Sequence, residues 1–147
     1  MSTPRPPVTC HILDTTTGCP ASNVICSIYK IDMKENEDTM DTTSVEPFAL
    51  ARTNEDGRVP SWVFNPDPTK RAELEALGIS KAGSTLRWDV LCPGVYKVRF
   101  QTGKYFARQD KKCFFPIVDI IFEVSDTRHY HIPLLLSNYG YTTYRGS

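Results

Sequence analysis

The chain has 147 residues, the size of one domain that buries roughly two thirds of its unfolded surface. Its 17 basic residues balance 17 acidic ones, and neither sign forms a long run, which argues against a nucleic-acid or membrane-surface partner. No uninterrupted apolar stretch approaches membrane-spanning length. We therefore expect a single soluble domain over residues 1–147, with no nucleic-acid and no membrane partner.

The cysteines are five in number and show neither the Cys-x-x-Cys spacing of metal and redox sites nor a secreted disulfide framework. Reduced thiols, the absence of a signal-peptide core near the start, and the lack of a Ser-Lys-Leu ending together predict a cytoplasmic protein. A peroxisomal location by another route stays open. Cys10 is no convincing partner for His11 in nucleophilic catalysis, because adjacent strand residues point to opposite faces.

The first predicted strand covers residues 8–13, where Thr9, His11 and Leu13 share one face. A polar, acid-rich segment at 34–46 is interpreted as a flexible surface loop. Further strands are predicted at 24–32, 48–53, 85–91, 95–101 and 117–124.

One helix interrupts these strands. Asp67 is a candidate cap, Pro68 suits a first turn, residues 70–77 are good helix formers, and Gly78 is a natural stop. About eight short strands at hairpin spacing then indicate an antiparallel β-sandwich of two sheets with one short helix.

A tight turn is predicted at Asp56-Gly57, directly before Arg58. A guanidinium that follows such a turn is held in place better than one on a loose loop. Taken alone, Arg58 is more simply a solvated charge at a strand end, and His11 is more simply a structural histidine within its strand.

The segment 129–147 is the most patterned part of the chain. In an extended strand, His129 and His131 project from one face and Tyr130 from the other. Pro133 lacks an N–H, so this strand is predicted at a sheet edge or beside a bulge. The apolar run 134–136 suits a strand covered on both faces, and residues 139–145 are predicted to form a shorter return strand.

Three ordered blocks resemble the 5-hydroxyisourate hydrolases, the transthyretin-related proteins of urate breakdown. They are His-Ile-Leu-Asp with Gly-Cys-Pro-Ala at 11–21, Thr-Asn-Glu-Asp-Gly-Arg at 53–58, and the ending Tyr-Arg-Gly-Ser at 144–147. The resemblance implies a transthyretin-like sandwich and a homotetramer with its sites at subunit interfaces. It also implies hydrolysis of 5-hydroxyisourate without a cofactor.

By this resemblance His11 and His131 activate water and relay protons, while Arg58 anchors the substrate. Tyr144 contacts the substrate through its ring and hydroxyl, and Ser147 brings its hydroxyl or the terminal carboxylate into the pocket. A guanidinium near a histidine lowers the histidine pKa, which favours a neutral base near pH 7.

Two further residues of the C-terminal segment are secondary candidates for the site. His129 matches the motif, but the family role belongs to the second histidine, and Arg145 is as easily a structural residue as a functional one. Tyr144 faces away from Arg145 in an unbroken strand, so both line one pocket only if the chain bends.

Two alternative functions stay open. One is a zinc-dependent hydrolase that uses His11, His129 and His131 as metal ligands. The other is a non-catalytic transthyretin-like protein that binds a small molecule, because fold does not fix function.

Overall fold

The computed structural model describes residues 5–33, 41–43, 46–83 and 85–147. Within these ranges the strands are β1 (Val8–Asp14), β2 (Cys19–Pro20), β3 (Ile25–Met33), β4 (Asp41–Thr43), β5 (Ala49–Arg52), β6 (Val63–Phe64), β7 (Ile79–Ala82), β8 (Thr85–Trp88), β9 (Gly94–Phe100), β10 (Val118–Val124), β11 (Tyr130–Leu136) and β12 (Tyr141–Thr143). The helices are a 3-10 turn at Pro68–Lys70, α1 (Arg71–Ala76) and α2 (Thr102–Ala107).

Two main sheets form the body of the protein. One has the order β12-β11-β1-β2, and the other has the order β10-β9-β3-β5-β6 with β4 paired to β3. Strands β7 and β8 form a separate two-stranded sheet. The expected transthyretin-like sandwich is therefore confirmed, but with more strands than about eight and with a third small sheet.

The core lies between the inner faces of the two sheets, and strand periodicity explains which residues fill it. Along β1, Val8, Cys10 and Ile12 are fully buried while the residues between them are half-exposed. Tyr96, Val98 and Phe100 do the same on β9 of the opposite sheet. This alternation leaves the other face of β1 free to carry polar groups.

The two longest partners in the first sheet are parallel, which corrects the expectation of an entirely antiparallel sandwich. Strand β1 pairs with β11 in parallel along its whole length, with Thr9 opposite His131 and His11 opposite Pro133. The remaining ladders between named strands are antiparallel. Parallel neighbours need a long connection, and most of the chain separates these two strands.

Pro133 was predicted at a sheet edge or beside a bulge, and neither is observed. Strand β11 lies between β1 and β12, and the register of Leu134 with Thr143 continues unshifted to the His131–Gly146 bridge. The proline acts on the ladder instead. The register that pairs Leu134 with Thr143 sets Pro133 opposite Tyr144, and a residue without an N–H cannot complete a ladder there. Strand β12 accordingly ends at Thr143, and pairing resumes only at the isolated bridge between His131 and Gly146.

The helix predicted near 70–77 is confirmed as α1, preceded by a 3-10 turn in which the Asp67 carboxylate accepts the Thr69 N–H at 3.0 Å. The expectation of one helix is wrong, because α2 was missed. Its six residues lack the preceding Asp and Pro and the following Gly that marked α1, and it is held by packing: Tyr105 and Phe106 are buried. In the described parts of the chain, no helix is long and apolar enough to cross a membrane.

The loop predicted at 34–46 falls largely outside the described residues. Within it, residues 41–43 form strand β4 and pair with the end of β3, so that part of the prediction is wrong. Strand β4 therefore pairs with the last residues of β3, past those that pair with β5.

Candidate active site

The polar face of the first sheet brings remote parts of the chain into one row. Arg58 forms an isolated antiparallel bridge with His11 of β1. Thr9, two residues earlier on β1, lies opposite His131 of β11, and His131 is bridged in turn to Gly146. Side chains at positions 9, 11 and 131 are half-exposed on this face while their neighbours are buried. These neighbouring polar residues form the candidate site.

A tight loop presents Arg58 to this row. The Asn54 side-chain oxygen accepts the backbone N–H groups of Asp56 at 2.9 Å and Arg58 at 3.1 Å. Gly57 has φ +73°, and its carbonyl accepts the Ile12 N–H at 2.8 Å. A Cβ at Gly57 would lie 2.4 Å from the Ile12 carbonyl oxygen, so the loop approaches β1 this closely only with glycine there.

The histidines of the C-terminal segment are positioned by the alternation of β11. Tyr130 and Ile132 are buried in the core, so His129 and His131 emerge together on the polar face, as predicted. Thr9 lies between them: its hydroxyl oxygen is 2.8 Å from Nε2 of His129 and 2.7 Å from Nδ1 of His131.

Gly146 lets the end of the chain pass directly over His131. Its N–H donates to the His131 carbonyl at 2.9 Å. A Cβ at this position would lie 2.5 Å from Cδ2 of the imidazole, closer than carbon atoms approach without displacement. This contact brings Ser147 to the same cavity as the histidine.

The cavity on this face has a volume of about 360 Å³, within the range of small-molecule sites. It is lined by Arg5, Pro6, Thr9, Cys10, Asn54, Arg58, Val59, Pro60, His129, His131 and Ser147. These lining residues carry two guanidinium groups, no acidic side chain and the one terminal carboxylate of Ser147, so positive charge exceeds negative charge. Such a surface favours an electron-rich or anionic ligand.

The environment lowers the pKa of all three histidines below the ordinary 6.5. Partial burial is the main cause for each ring, since it disfavours the charged imidazolium. Arg58 adds to the effect at His11 and His131, and Arg5 adds to it at His129 and His131. The guanidinium effect expected from the sequence is therefore present, but it is second to desolvation. Neutral imidazoles at pH 7 can accept a proton.

The structure brings together most of the residues named from the sequence. Arg58, His131 and Ser147 line the cavity. His11 lies beside it, with its ring centroid 6.4 Å from that of His131. Tyr144 is 58% exposed and is not among the lining residues.

Arg145 turns away from the site residues. Its guanidinium lies 4.6 Å from the ring centroid of Tyr130, and Tyr130 belongs to the buried face of β11. Through this cation–π contact, Arg145 packs the last residues of the chain against β11.

Thr9 and Arg5 contribute polar groups to the cavity, and neither was named as a site residue from the sequence. Thr9 had a signal, because it shares a strand face with His11, but its two histidine contacts depend on β11. Arg5 had none, because a single basic residue in a proline-rich start has no local pattern. Its place depends on the chain running beside β11, where the Pro7 carbonyl accepts the Tyr130 N–H at 2.8 Å.

The zinc alternative gains no support from the geometry. Among the described residues, no group of three or more His, Cys, Asp or Glu side chains is arranged to hold a metal ion. One nitrogen of each ring, Nε2 of His129 and Nδ1 of His131, is already engaged by the Thr9 hydroxyl.

Fold and site together define a two-sheet β-sandwich with a cationic, histidine-lined cavity on one outer face. A sequence model described as the HIUase/Transthyretin family matches residues 8–146. The chain belongs to this family.

Relatives in this family are similar over nearly the whole chain. A Schizosaccharomyces pombe protein named "Probable 5-hydroxyisourate hydrolase" is 39% identical over 142 residues, covering 97% of this chain and 92% of its own. The 5-hydroxyisourate hydrolase of Mus musculus is 31% identical, with 100% of both chains covered.

Solved structures give the same picture. The 5-hydroxyisourate hydrolase of Klebsiella pneumoniae superposes with a TM-score of 0.62 at 28% identity, covering 95% of this chain and 98% of its own. Sea bream transthyretin in complex with thyroxine superposes with a TM-score of 0.63 at 23% identity, covering 95% of this chain and 94% of its own. At this low identity, the second likeness speaks for the fold alone.

Proposed function

We propose that this protein is a hydrolase that opens the cyclic amide ring of 5-hydroxyisourate in urate degradation. The observation that carries the proposal is the meeting of His11, Arg58 and His131, from three remote parts of the chain, at one face of one sheet. The curated relatives with this name support it, because they cover nearly the whole chain.

The chemistry follows from the site. A neutral imidazole of His131 or His11 takes a proton from water as the water oxygen adds to the ring carbonyl carbon. Arg58 stabilises the oxyanion that forms. The carbon–nitrogen bond then breaks, and the proton held by imidazole passes to the leaving nitrogen. The product is 2-oxo-4-hydroxy-4-carboxy-5-ureidoimidazoline. Its new carboxylic acid releases a proton to solvent, which leaves a carboxylate in the cationic cavity. The residues use only water as co-reactant, so the proposal includes no cofactor.

Ser147 and Tyr144 have proposed roles in binding. Ser147 lines the cavity, where its hydroxyl or carboxylate contacts the substrate or the attacking water. Tyr144 is an exposed residue of the C-terminal segment, so we propose that it contributes to the site within an assembly of subunits.

The assembly we propose is a homotetramer with its sites at subunit interfaces. Its support is an exposed aromatic surface in which Phe115 packs against Phe114 and Tyr141, with ring centroids 4.8 Å and 5.3 Å apart. Phe114 is 67% exposed and Tyr141 40% exposed. Exposed apolar groups in contact with each other are typical of a subunit interface.

A cytoplasmic location is part of the proposal. All five cysteines are free thiols, which suits a reducing compartment.

A non-catalytic binding protein is the second candidate. Its support is the likeness to a transthyretin that binds thyroxine, which reaches only the fold. The histidine-lined cavity with two guanidinium groups favours catalysis on a polar substrate over binding of an apolar ligand.

The test follows the absorbance of freshly generated 5-hydroxyisourate. We expect the protein to accelerate its decay by orders of magnitude, and His131→Ala or Arg58→Ala to lose most of that acceleration. Arg87→Ala is the matched control, because Arg87 is an exposed guanidinium that pairs with Asp89 on another part of the surface. If the folded wild-type protein does not make the decay faster than the spontaneous rate, the hydrolase proposal is wrong and only the binding-protein candidate remains.

A further inference from the structure

The Thr9 hydroxyl bridges two imidazoles. Its oxygen is 2.8 Å from Nε2 of His129 and 2.7 Å from Nδ1 of His131. Both distances are those of good hydrogen bonds. A hydroxyl has one proton and two lone pairs, so Thr9 can donate to at most one ring and must accept from at least one. The direction of this chain decides which nitrogen of His131 holds a hydrogen.

The proposed reaction selects the direction of this chain. Nδ1 of His131 is engaged by Thr9 at 2.7 Å, so Nε2 is the nitrogen left to meet water. A neutral imidazole has one N–H, and Nε2 can take a proton from water only if that hydrogen is on Nδ1. The Thr9 oxygen then accepts from Nδ1–H of His131, and its own proton is available to Nε2 of His129.

The state of His131 follows. With its own proton given to His129, the Thr9 oxygen accepts the Nδ1–H of His131. A neutral His131 then keeps its lone pair on Nε2, the nitrogen that does not contact Thr9. Burial and neighbouring guanidinium groups keep both rings neutral near pH 7 by lowering the pKa of each.

We propose that Thr9 is a positioning residue for the hydrolysis, acting with His129 to hold His131 in the Nδ1–H tautomer so that Nε2 is the base that takes a proton from water. Both the tautomer and its role in catalysis rest on the proposed function, but the tautomer is measured without any activity. When Nε2 accepts the proton, the Nδ1–H bond to Thr9 is kept, so no hydrogen bond in the chain has to reverse during the step.

The tautomer is measured directly by long-range ¹H–¹⁵N NMR of the histidine rings in the wild-type protein at pH 7.5. We expect His131 to show a protonated Nδ1 and an unprotonated Nε2. A protonated Nε2 with an unprotonated Nδ1 would overturn the proposal. This measurement needs neither a variant nor activity, so it decides the proposal even if the protein does not hydrolyse 5-hydroxyisourate.

Two variants test the consequence for rate. Thr9→Val removes the hydroxyl with little change of shape, and Thr9→Ser keeps it. We expect Thr9→Val to lower kcat about 10- to 100-fold, with KM changed less than about threefold and the His131 tautomer mixed or reversed. Thr9→Ser should stay within about threefold of wild type. Wild-type kcat and an unchanged tautomer in folded Thr9→Val would overturn the proposal, and Thr9→Ala replaces Thr9→Val if the latter does not fold.

Discussion

His131 and Gly146 are joined by an antiparallel bridge in which the glycine lies so close to the imidazole that a Cβ would be 2.5 Å from Cδ2. The His131 ring and the last residues of the chain around Gly146 therefore fix each other's position. The orientation of the proposed base depends on the absence of one methyl group at the end of the chain.

Gly146→Ala is expected to displace either the His131 ring or the last residues of the chain. It should lower kcat by about 100-fold, because a catalytic group displaced by about 1 Å can lose that much rate. The thermal midpoint should change little, because the residue is near the end of the chain. Steady-state kinetics by the absorbance assay check this. Gly140→Ala is the control: its Cβ would lie 3.8 Å from the Ser137 hydroxyl, an ordinary contact. Equal rates for the two variants would contradict the positional role of Gly146.

Gly57→Ala tests the loop that presents Arg58. Gly18 has the same φ of +73° but nothing within 4 Å of a Cβ, whereas a Cβ at Gly57 meets the Ile12 carbonyl. Gly18→Ala should therefore lower the free energy of unfolding by about 1 kcal/mol, the cost of the left-handed conformation. Gly57→Ala should lower the free energy of unfolding by about 2 kcal/mol more than Gly18→Ala does, because of the steric contact. It should also lower kcat. Urea unfolding measures both, and a smaller loss for Gly57→Ala than for Gly18→Ala would refute the close-approach argument.

The lowered histidine pKa values predict the acid side of the pH profile. Because the neutral imidazole is the proposed base, kcat/KM should stay on its plateau below pH 6.5 and fall only at the lower pKa of the folded site. Removing a guanidinium in Arg58→Ala should move the residual acid limb toward higher pH, since that charge helps to lower the pKa of His11 and His131. A limb above pH 7 in the wild type would be inconsistent with this electrostatic environment.

The same shifts make stability depend on pH, with a definite sign. As pH falls below about 6.5, histidines of the unfolded chain take up protons before those of the folded protein, whose pKa is lowered. The free energy of unfolding should therefore decrease from pH 7 toward the folded-state pKa and should not change from this cause above about pH 7.5. Denaturant titrations at several pH values, in wild type and in His131→Gln, check the contribution of this ring.

Thr9 and His129 are expected to act as one unit. His129→Ala frees the Thr9 proton to bond Nδ1 of His131, which favours the wrong tautomer and should lower kcat about as much as Thr9→Val. The double variant should then be about as slow as either single variant, because the second change removes nothing further. Rate losses that multiply in the double variant would show that the two residues act independently.

The local features of this chain were readable from its sequence because each depends on a few neighbouring residues. Alternation placed Cys10 and His11 on opposite faces of β1, and it placed His129 and His131 on one face of β11. The Asp56-Gly57 pair correctly predicted the turn before Arg58, and Asp67 correctly predicted a helix start. Where local signals were weak, as in the six residues of α2, the prediction failed.

The family resemblance supplied the candidate residues, and the structure supplied their arrangement. Arg58 and His131 do line one cavity, with His11 beside it, but Tyr144 is outside it in the single chain. The placement of Pro133 was wrong for a physical reason: a missing N–H limits the ladder with β12 without excluding the strand from the interior of the sheet.

Sequence alone determined which faces are apolar, where the chain turns and which polar residues are available, because side-chain periodicity and turn chemistry act over a few residues. Only the tertiary structure decided that β1 and β11 pair in parallel, and with that pairing the hydroxyl of Thr9 meets the ring of His131 across 122 positions of sequence. Contacts at such separation depend on which strands become neighbours in a sheet, and this is settled by the packing of the whole core.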